Sequence, residues 1–172
     1  MPAQRYCSAS TELDREHVWS LFSDIENWLV CSDVYERLEW QGSPWVTNAS
    51  IVGRVRHNRN EKIRYVVEKC EPARLVSYVG HSNESGFASH RTIRFVDREE
   101  GGTLIEIHYY SVGSPDFAVA GEKFVQWLTE RWIDGFARFC EVHSGTHQAL
   151  RCMGQGEDSS CTLVMPGLSH RS

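Results

Sequence analysis

The chain has 172 residues, with 18 Lys and Arg against 23 Asp and Glu for a formal net charge of −5, and it is 41% hydrophobic and 24% charged. That length suits one domain whose apolar core needs no disulfide or metal support. The balance excludes a disordered chain and the basic footprint of a nucleic-acid binder. Residues 1–5 lead into polar sequence rather than the apolar stretch of a signal peptide, and no run is apolar and long enough to span a bilayer. A soluble, cytoplasmic protein without integral membrane contact is the expectation.

Residues 5–13 read as a short strand. Asp14 then caps a helix, its carboxylate placed to accept the unpaired amide hydrogens of the first turn. Val18, Trp19, Leu21 and Phe22 form the apolar face of that helix. Residues 24–28 read as a second short helix, capped by Asp24, with Trp19 and Trp28 wedging the pair against something larger.

From residue 33 to residue 113 the period becomes that of strands. Residues 34–40 and 51–56 alternate, and 58–61 form a polar turn into 63–69. Glu71-Pro72-Ala73 separates that strand from 75–79. A loop over 80–86 precedes a strand at 87–96, and Gly101-Gly102 turns into a strand at 103–112. Six consecutive strands with short links predict an antiparallel meander, and the N-terminal strand makes seven.

After Gly113-Ser114-Pro115 the period returns to 3.6. Phe117, Phe124, Val125, Leu128, Trp132, Phe136, Phe139 and Val142 share one face of a helix nearly ~40 Å long. Gly121 and Gly135 in that stripe either permit close packing or leave room for a ligand. From residue 144 onward the sequence is glycine- and serine-rich, which predicts a domain over 4–143 and a mostly disordered tail over 144–172.

The six cysteines (Cys7, Cys31, Cys70, Cys140, Cys152 and Cys161) are scattered without a CxxC pair, as suits free thiols in a reducing compartment. Cys140, His143, His147 and Cys152 lie close in sequence, but their spacing matches no usual zinc pattern, so no metal is expected. Neither a phosphate-cradling glycine loop nor GxSxG nor HExxH occurs, and no cofactor is implied.

Four stretches carry a family likeness: residues 18–28, which read VWxLxxDxxxW; Val52-Gly53; residues 67–75, VEKCEPARL; and Gly101-Gly102-Thr103. On these the sequence resembles the SRPBCC superfamily of helix-grip proteins, which includes START lipid-binding domains, pollen-allergen-like proteins and polyketide cyclases/dehydratases. The likeness covers roughly residues 4–143 and points to the polyketide cyclase/dehydrase branch. It implies an α+β helix-grip fold: a seven-stranded curved antiparallel sheet wrapped round a long C-terminal helix, with two short helices after the first strand. It also implies a cavity tyrosine at Tyr35, where tetracenomycin-type aromatase/cyclases carry one. Those cyclases place an arginine and a serine on the strand that here ends in Lys69. The matching positions hold Lys69 and Val67, a departure that weakens the case for polyketide-aromatising chemistry.

A curved sheet closed by a helix encloses a cavity whose lining follows strand parity. Phe87, Ser89, Arg91, Ile93 and Phe95 oppose the more polar Ala88, His90, Thr92 and Arg94. Ile105, Ile107 and Tyr109 oppose Glu106 and His108. Ile63, Tyr65, Val67 and Lys69 oppose Arg64 and Glu68, and Ile51, Gly53 and Val55 oppose Arg54 and Arg56. The expected ligand contacts are therefore Ile51, Tyr65, Val67, Lys69, Phe87 and Ser89, then Ile93, Ile105, Ile107 and Tyr109. Phe124, Leu128 and Trp132 join them from the helix.

Tyr35 and Arg91 are the candidate catalytic residues. A buried cation without a partner is costly. Arg91 therefore either anchors the carboxylate, phenolate or enolate of a ligand or pairs with an acid at the cavity mouth. Lys69, beside Glu71 at a strand end, is either a ligand contact or solvated. Tyr35 either donates to a ligand carbonyl as a general acid or simply packs. His17, His90 and His108 fall on solvent faces, and His81 lies near the mouth.

These residues predict binding of a hydrophobic or aromatic small molecule, whether polyketide, aromatic metabolite or lipid, by a monomer or homodimer. A polyketide cyclase/dehydratase-like reaction is the leading role implied by the resemblance. A non-catalytic carrier or sensor of lipids or hydrophobic metabolites is the rival, and an adaptor for another protein is a third reading.

Overall fold

The computed structural model describes residues 4–56, 62–82, 88–113 and 115–154. Strand β1 (Arg5–Thr11) leads into helices α1 (Arg15–Ser23) and α2 (Glu26–Cys31). Six strands follow: β2 (Tyr35–Gln41), β3 (Ser50–Val55), β4 (Lys62–Glu71), β5 (Leu75–Ser82), β6 (Ala88–Asp97) and β7 (Thr103–Val112). Helix α3 (Pro115–Gly154) closes the order. Of the loop expected over 80–86, residues 80–82 instead extend β5, whose pairing continues to Ser82. Its remainder at 83–86, the turn expected at 58–61, Phe87, the side chain of Phe117 and the tail beyond residue 154 lie outside the described residues.

The strands form one antiparallel sheet in the order β1-β7-β6-β5-β4-β3-β2, the predicted meander with the first strand added beside the last. The β6–β7 hairpin turns on Gly101 and Gly102, both at positive φ. A Cβ on Gly102 would stand 2.2 Å from the Thr11 carbonyl oxygen, so this turn packs directly on the end of β1. Thr103 ties the same corner by donating its hydroxyl to the Leu13 carbonyl at 2.7 Å.

Asp14 caps α1 as its position predicts: its backbone is extended and its carboxylate accepts the His17 N–H at 2.9 Å. Asp24 does not cap α2 in the same way. Ile25 takes the cap position without a side-chain bond, while Asp24 ends α1 and accepts the Glu26 N–H at 3.0 Å. Only two residues separate the helices, so Asp24 serves as the end of one and the anchor of the next.

Phe22 of α1 meets Trp28 of α2, Trp45 of the β2–β3 connection and Phe95 of β6, each with ring centroids 5.2 Å apart. Trp132 and Phe136 of α3 meet the same ring at 5.9 and 6.0 Å. Two indole N–H groups of this cluster are satisfied by carbonyls at the end of α1: Trp28 donates to Phe22 and Trp45 to Ser23. The aromatic face read from VWxLxxDxxxW thus seats both small helices on the sheet.

Helix α3 lies across the concave face and buries Val125, Leu128, Thr129, Trp132, Ile133, Phe136 and Cys140. It runs on to Gly154, past the predicted boundary at residue 143, although Val142 is already 69% exposed. Residues 141–143 are exposed while the helix goes on. Gly135 answers one of the alternatives left open by the sequence. A Cβ there would stand 2.3 Å from the Cys31 carbonyl oxygen, so the glycine serves the close approach of α2 to α3.

Gly135→Ala sets two effects against each other. Alanine is the better helix former by about 1 kcal/mol, whereas forcing a methyl into a packed contact costs about 1–3 kcal/mol. Here the obstacle is backbone, so the variant is expected to melt below the parent in a thermal scan. A melting temperature equal to or above the parent's would show that α2 shifts aside freely.

Candidate functional site

The concave face is apolar except for one group of polar side chains. Strand parity turns Tyr65, Ser89, Arg91 and Tyr109 inward, and all are buried. Ile51, Val67, Ile93, Ile105 and Ile107 are buried on the same side, with Leu128 and Trp132 facing them from α3 and Phe124 half-buried. Tyr35 is buried at the start of β2, where a bulge between Tyr35 and Arg37 lets both Tyr35 and Leu38 point inward.

Lys69 leaves this set. The β4–β5 register shifts between Val67 and Lys69, so the parity that holds through Val67 is lost one step later. The Lys69 side chain is 61% exposed and pairs with Glu71 at 2.6 Å. Of the described residues expected at the ligand, Lys69 is the one that the structure places in solvent.

The centre of the group is Arg91, 4% exposed. Its Nε donates to Thr129 Oγ1 at 3.3 Å and its Nη1 to Ser89 Oγ at 3.2 Å. The guanidinium carbon lies 5.3 Å from the centroid of the Tyr65 ring and 5.9 Å from that of Tyr78. Thr129 can accept because its own hydroxyl hydrogen goes back to the Val125 carbonyl, 2.6 Å away. Among the described residues no carboxylate pairs with Arg91. Burial works against its charge, but the surrounding oxygens of Tyr65, Tyr78 and Tyr35 outweigh that, and its pKa lies above the ordinary value.

Tyr35 and Tyr65 share a hydroxyl–hydroxyl hydrogen bond of 3.0 Å, with rings nearly perpendicular. Burial, reinforced by Tyr65 and Tyr78, pushes the Tyr35 phenol well above its usual pKa. Burial does the same for Tyr78, against the opposing pull of Arg91. Both are therefore neutral at any physiological pH and suited to donate a hydrogen bond, not to act as a base. The indole Nε1 of Trp132, one turn along α3 from Thr129, is buried without an acceptor.

Tyr78, Thr129 and Gly80 join the group without having been singled out from the sequence. Parity could have found Tyr78, since Val76, Tyr78 and Gly80 alternate inward on β5. A Cβ on Gly80 would stand 2.7 Å from the Tyr65 ring and 3.0 Å from Ser89 Oγ, so this glycine makes room for the tyrosine. Thr129 carries no such signal, because a threonine beside an apolar helical stripe reads as its polar margin.

The family model for polyketide cyclase / dehydrase and lipid transport matches residues 8–141. No functionally curated protein sequence matches the chain. Among solved structures the chain is similar to DynU16 of the dynemicin biosynthetic locus, at 18% identity and a TM-score of 0.59 over 79% of this chain and 46% of that one. It is also similar to an uncharacterized protein from Rhizobium leguminosarum, at 17% identity and 0.65 over 81% and 95% of the two chains. Norcoclaurine synthase from Thalictrum flavum gives 11% and 0.64 over 81% and 93%. The chain thus spans less than half of DynU16, and at these identities the likeness is one of fold.

Two outcomes follow from the buried group. Replacing a buried, acid-free cation by an apolar side chain of similar length removes a desolvation cost. Arg91→Met is therefore expected to raise the urea midpoint, by about 1–2 kcal/mol in stability. A lower midpoint would mean that the hydroxyl and ring contacts outweigh that cost. The second outcome concerns alkali. An unfolded tyrosine releases its proton near pH ~10, while Tyr35 and Tyr78 hold theirs in the fold to higher pH. Their contribution to stability is full below that value and is lost as pH rises toward the folded pKa values. Tyrosinate absorbance from these two should appear only with loss of near-ultraviolet circular dichroism.

Proposed function

The chain belongs to the polyketide cyclase/dehydrase and lipid-transport family, and from that premise we propose that it binds an enolisable polyketone and promotes its cyclisation and dehydration. Family and fold support a hydrophobic-ligand cavity between the sheet and α3. The observation that carries the finer reading is Arg91, a buried cation balanced by hydroxyls and tyrosine rings instead of an acid. A neutral hydrocarbon has no use for it. An oxygen that becomes negative during reaction does.

In this reading the apolar walls fold the chain so that an activated methylene approaches a carbonyl carbon. Solvent takes the methylene proton, and Arg91 holds the resulting enolate oxygen. The enolate carbon forms the new carbon–carbon bond, while the attacked carbonyl takes a proton through the Tyr35–Tyr65 pair to become a hydroxyl. Loss of that hydroxyl with a proton from the adjacent carbon releases water and leaves the conjugated product. Tyr35 is placed for this step by its 3.0 Å hydrogen bond to Tyr65, and burial keeps it protonated while making it a weaker acid than a free phenol.

A second reading rests on a separate observation. Among the described residues the buried polar side chains are tyrosine, serine, threonine and arginine, with neither a carboxylate nor an imidazole to act as base. That suits a carrier of a lipid or hydrophobic acid whose carboxylate sits on Arg91. The two readings part on substitution. For the enzyme, Tyr35→Phe and Arg91→Leu should abolish turnover of a poly-β-ketone while leaving its binding within about tenfold. For the carrier, Ile107→Trp, which fills space, should weaken binding more than Tyr35→Phe does. Native mass spectrometry of the protein from its own host, with identification of what co-purifies, gives the ligand directly. A fatty acid at one per chain overturns the cyclase reading.

A further inference from the structure

The outer face of the sheet, remote from the interior group, carries an unbalanced row of charge near its β2 edge. Arg37 of β2 stands opposite Arg54 of β3, and Arg54 stands opposite Lys62 of β4. Three cations therefore occupy one rung across three strands. Neighbouring strands lie ~4.8 Å apart, and like charges placed directly opposite destabilise a sheet. One end of the row is relieved by Glu39, which accepts from Arg37 Nη2 at 2.8 Å. Among the described residues neither Arg54 nor Lys62 has a carboxylate partner. Arg64, on the next rung opposite Val52, gives its Nε to Ser50 Oγ at 3.2 Å instead of to an acid.

All four cations are exposed, and they line an open groove of about 840 Å³ that also includes Val52, Glu36 and Glu39. The chain as a whole is at −5, so this face runs against the charge of the rest. Among the described residues the groove sets four cations against two acids, Glu36 and Glu39, and so presents a net positive surface.

We propose that this groove docks an acidic segment of a partner protein. The row spans two strand spacings, about 10 Å, which calls for several separated carboxylates and exceeds what a single phosphate covers. A flexible acidic segment can set its carboxylates against Arg54, Lys62 and Arg64 and away from Glu36 and Glu39, which the evenly charged backbone of a nucleic acid cannot do. The groove is too open to enclose a small molecule. Such a surface steers association and sets its salt dependence. The inference is independent of what the interior binds.

The test is fluorescence anisotropy with a labelled Glu/Asp-rich peptide, against unlabelled pyrophosphate and a labelled single-stranded oligonucleotide as alternatives. The parent protein is expected to bind the peptide, more weakly at high salt. Arg54→Glu is expected to weaken that binding by about tenfold or more, while Arg94→Glu, on the outer face of β6, leaves it unchanged. Arg54→Glu should also melt at or above the parent, because it sets a carboxylate between two cations, so lost binding cannot be read as lost fold. Equal binding by Arg54→Glu and parent overturns the proposal. So does absence of binding by the parent, or tighter binding of pyrophosphate or the oligonucleotide than of the peptide.

Discussion

The ring of Phe22 is the point on which the fold turns. Within 6.0 Å of its centroid lie rings from α1, α2, the β2–β3 connection, β6 and α3: Trp19, Trp28, Trp45, Phe95, Trp132 and Phe136. A curved sheet has one concave apolar face and needs more than one helix to cover it. Two helices of nine and six residues are too short to be stable alone. They persist because their aromatic side chains are shared with the sheet and with α3. Fully burying one phenylalanine contributes about 1.5–3 kcal/mol, and close packing makes such a cluster rigid. That rigid end defines the rest of the interior. Trp28 stands between it and the polar group, with its ring 6.1 Å from Tyr35 and 6.4 Å from Tyr78.

The strands, their order of burial and the position of Arg91 were legible in the sequence because each depends on a period of two, and one buried face enforces that period along a whole strand. It fails where the backbone adds a residue. Val66, Val67, Glu68 and Lys69 give no local sign of the bulge that moves Lys69 to solvent, since the register shift is a property of the pairing with β5. The end of α3 was misread for another reason. Apolar periodicity reports burial, and residues 141–143 are exposed while the helix continues to Gly154. Thr129 was missed because its role is relational: it matters only beside an arginine from a strand 38 residues earlier.

The departure from the aromatase/cyclase pattern looks different once the geometry is known. Where those proteins carry an arginine and a serine on the β4 strand, this chain carries Lys69, which is exposed, and Val67, which is apolar. Yet an arginine and a serine do meet in the interior, two residues apart on β6, as Arg91 and Ser89. The same two side-chain types thus meet on β6, two strands away from β4 in the same sheet. Function follows such a constellation and not its place in the chain.

What the interior lacks is as informative as what it holds. An aspartate beside Arg91 would have neutralised it and left an anion no reason to enter. Tyrosine rings shield a cation without cancelling it, each worth about 0.5–2 kcal/mol, and serine and threonine hydroxyls occupy its donors while remaining neutral. The Trp132 N–H, buried without an acceptor, is an unmet donor on the helix side. The described interior therefore offers donors from both layers, and its own acceptors are hydroxyls already engaged. A carbonyl, enolate or carboxylate oxygen meets that demand, and a plain hydrocarbon does not. The outer row of Arg37, Arg54 and Lys62 follows the same logic at the surface, where water lowers the cost of like charges and permits a wider spacing. Among the described residues Arg91, Arg54 and Lys62 stand without an acid of their own, and the two proposed binding roles rest on that charge.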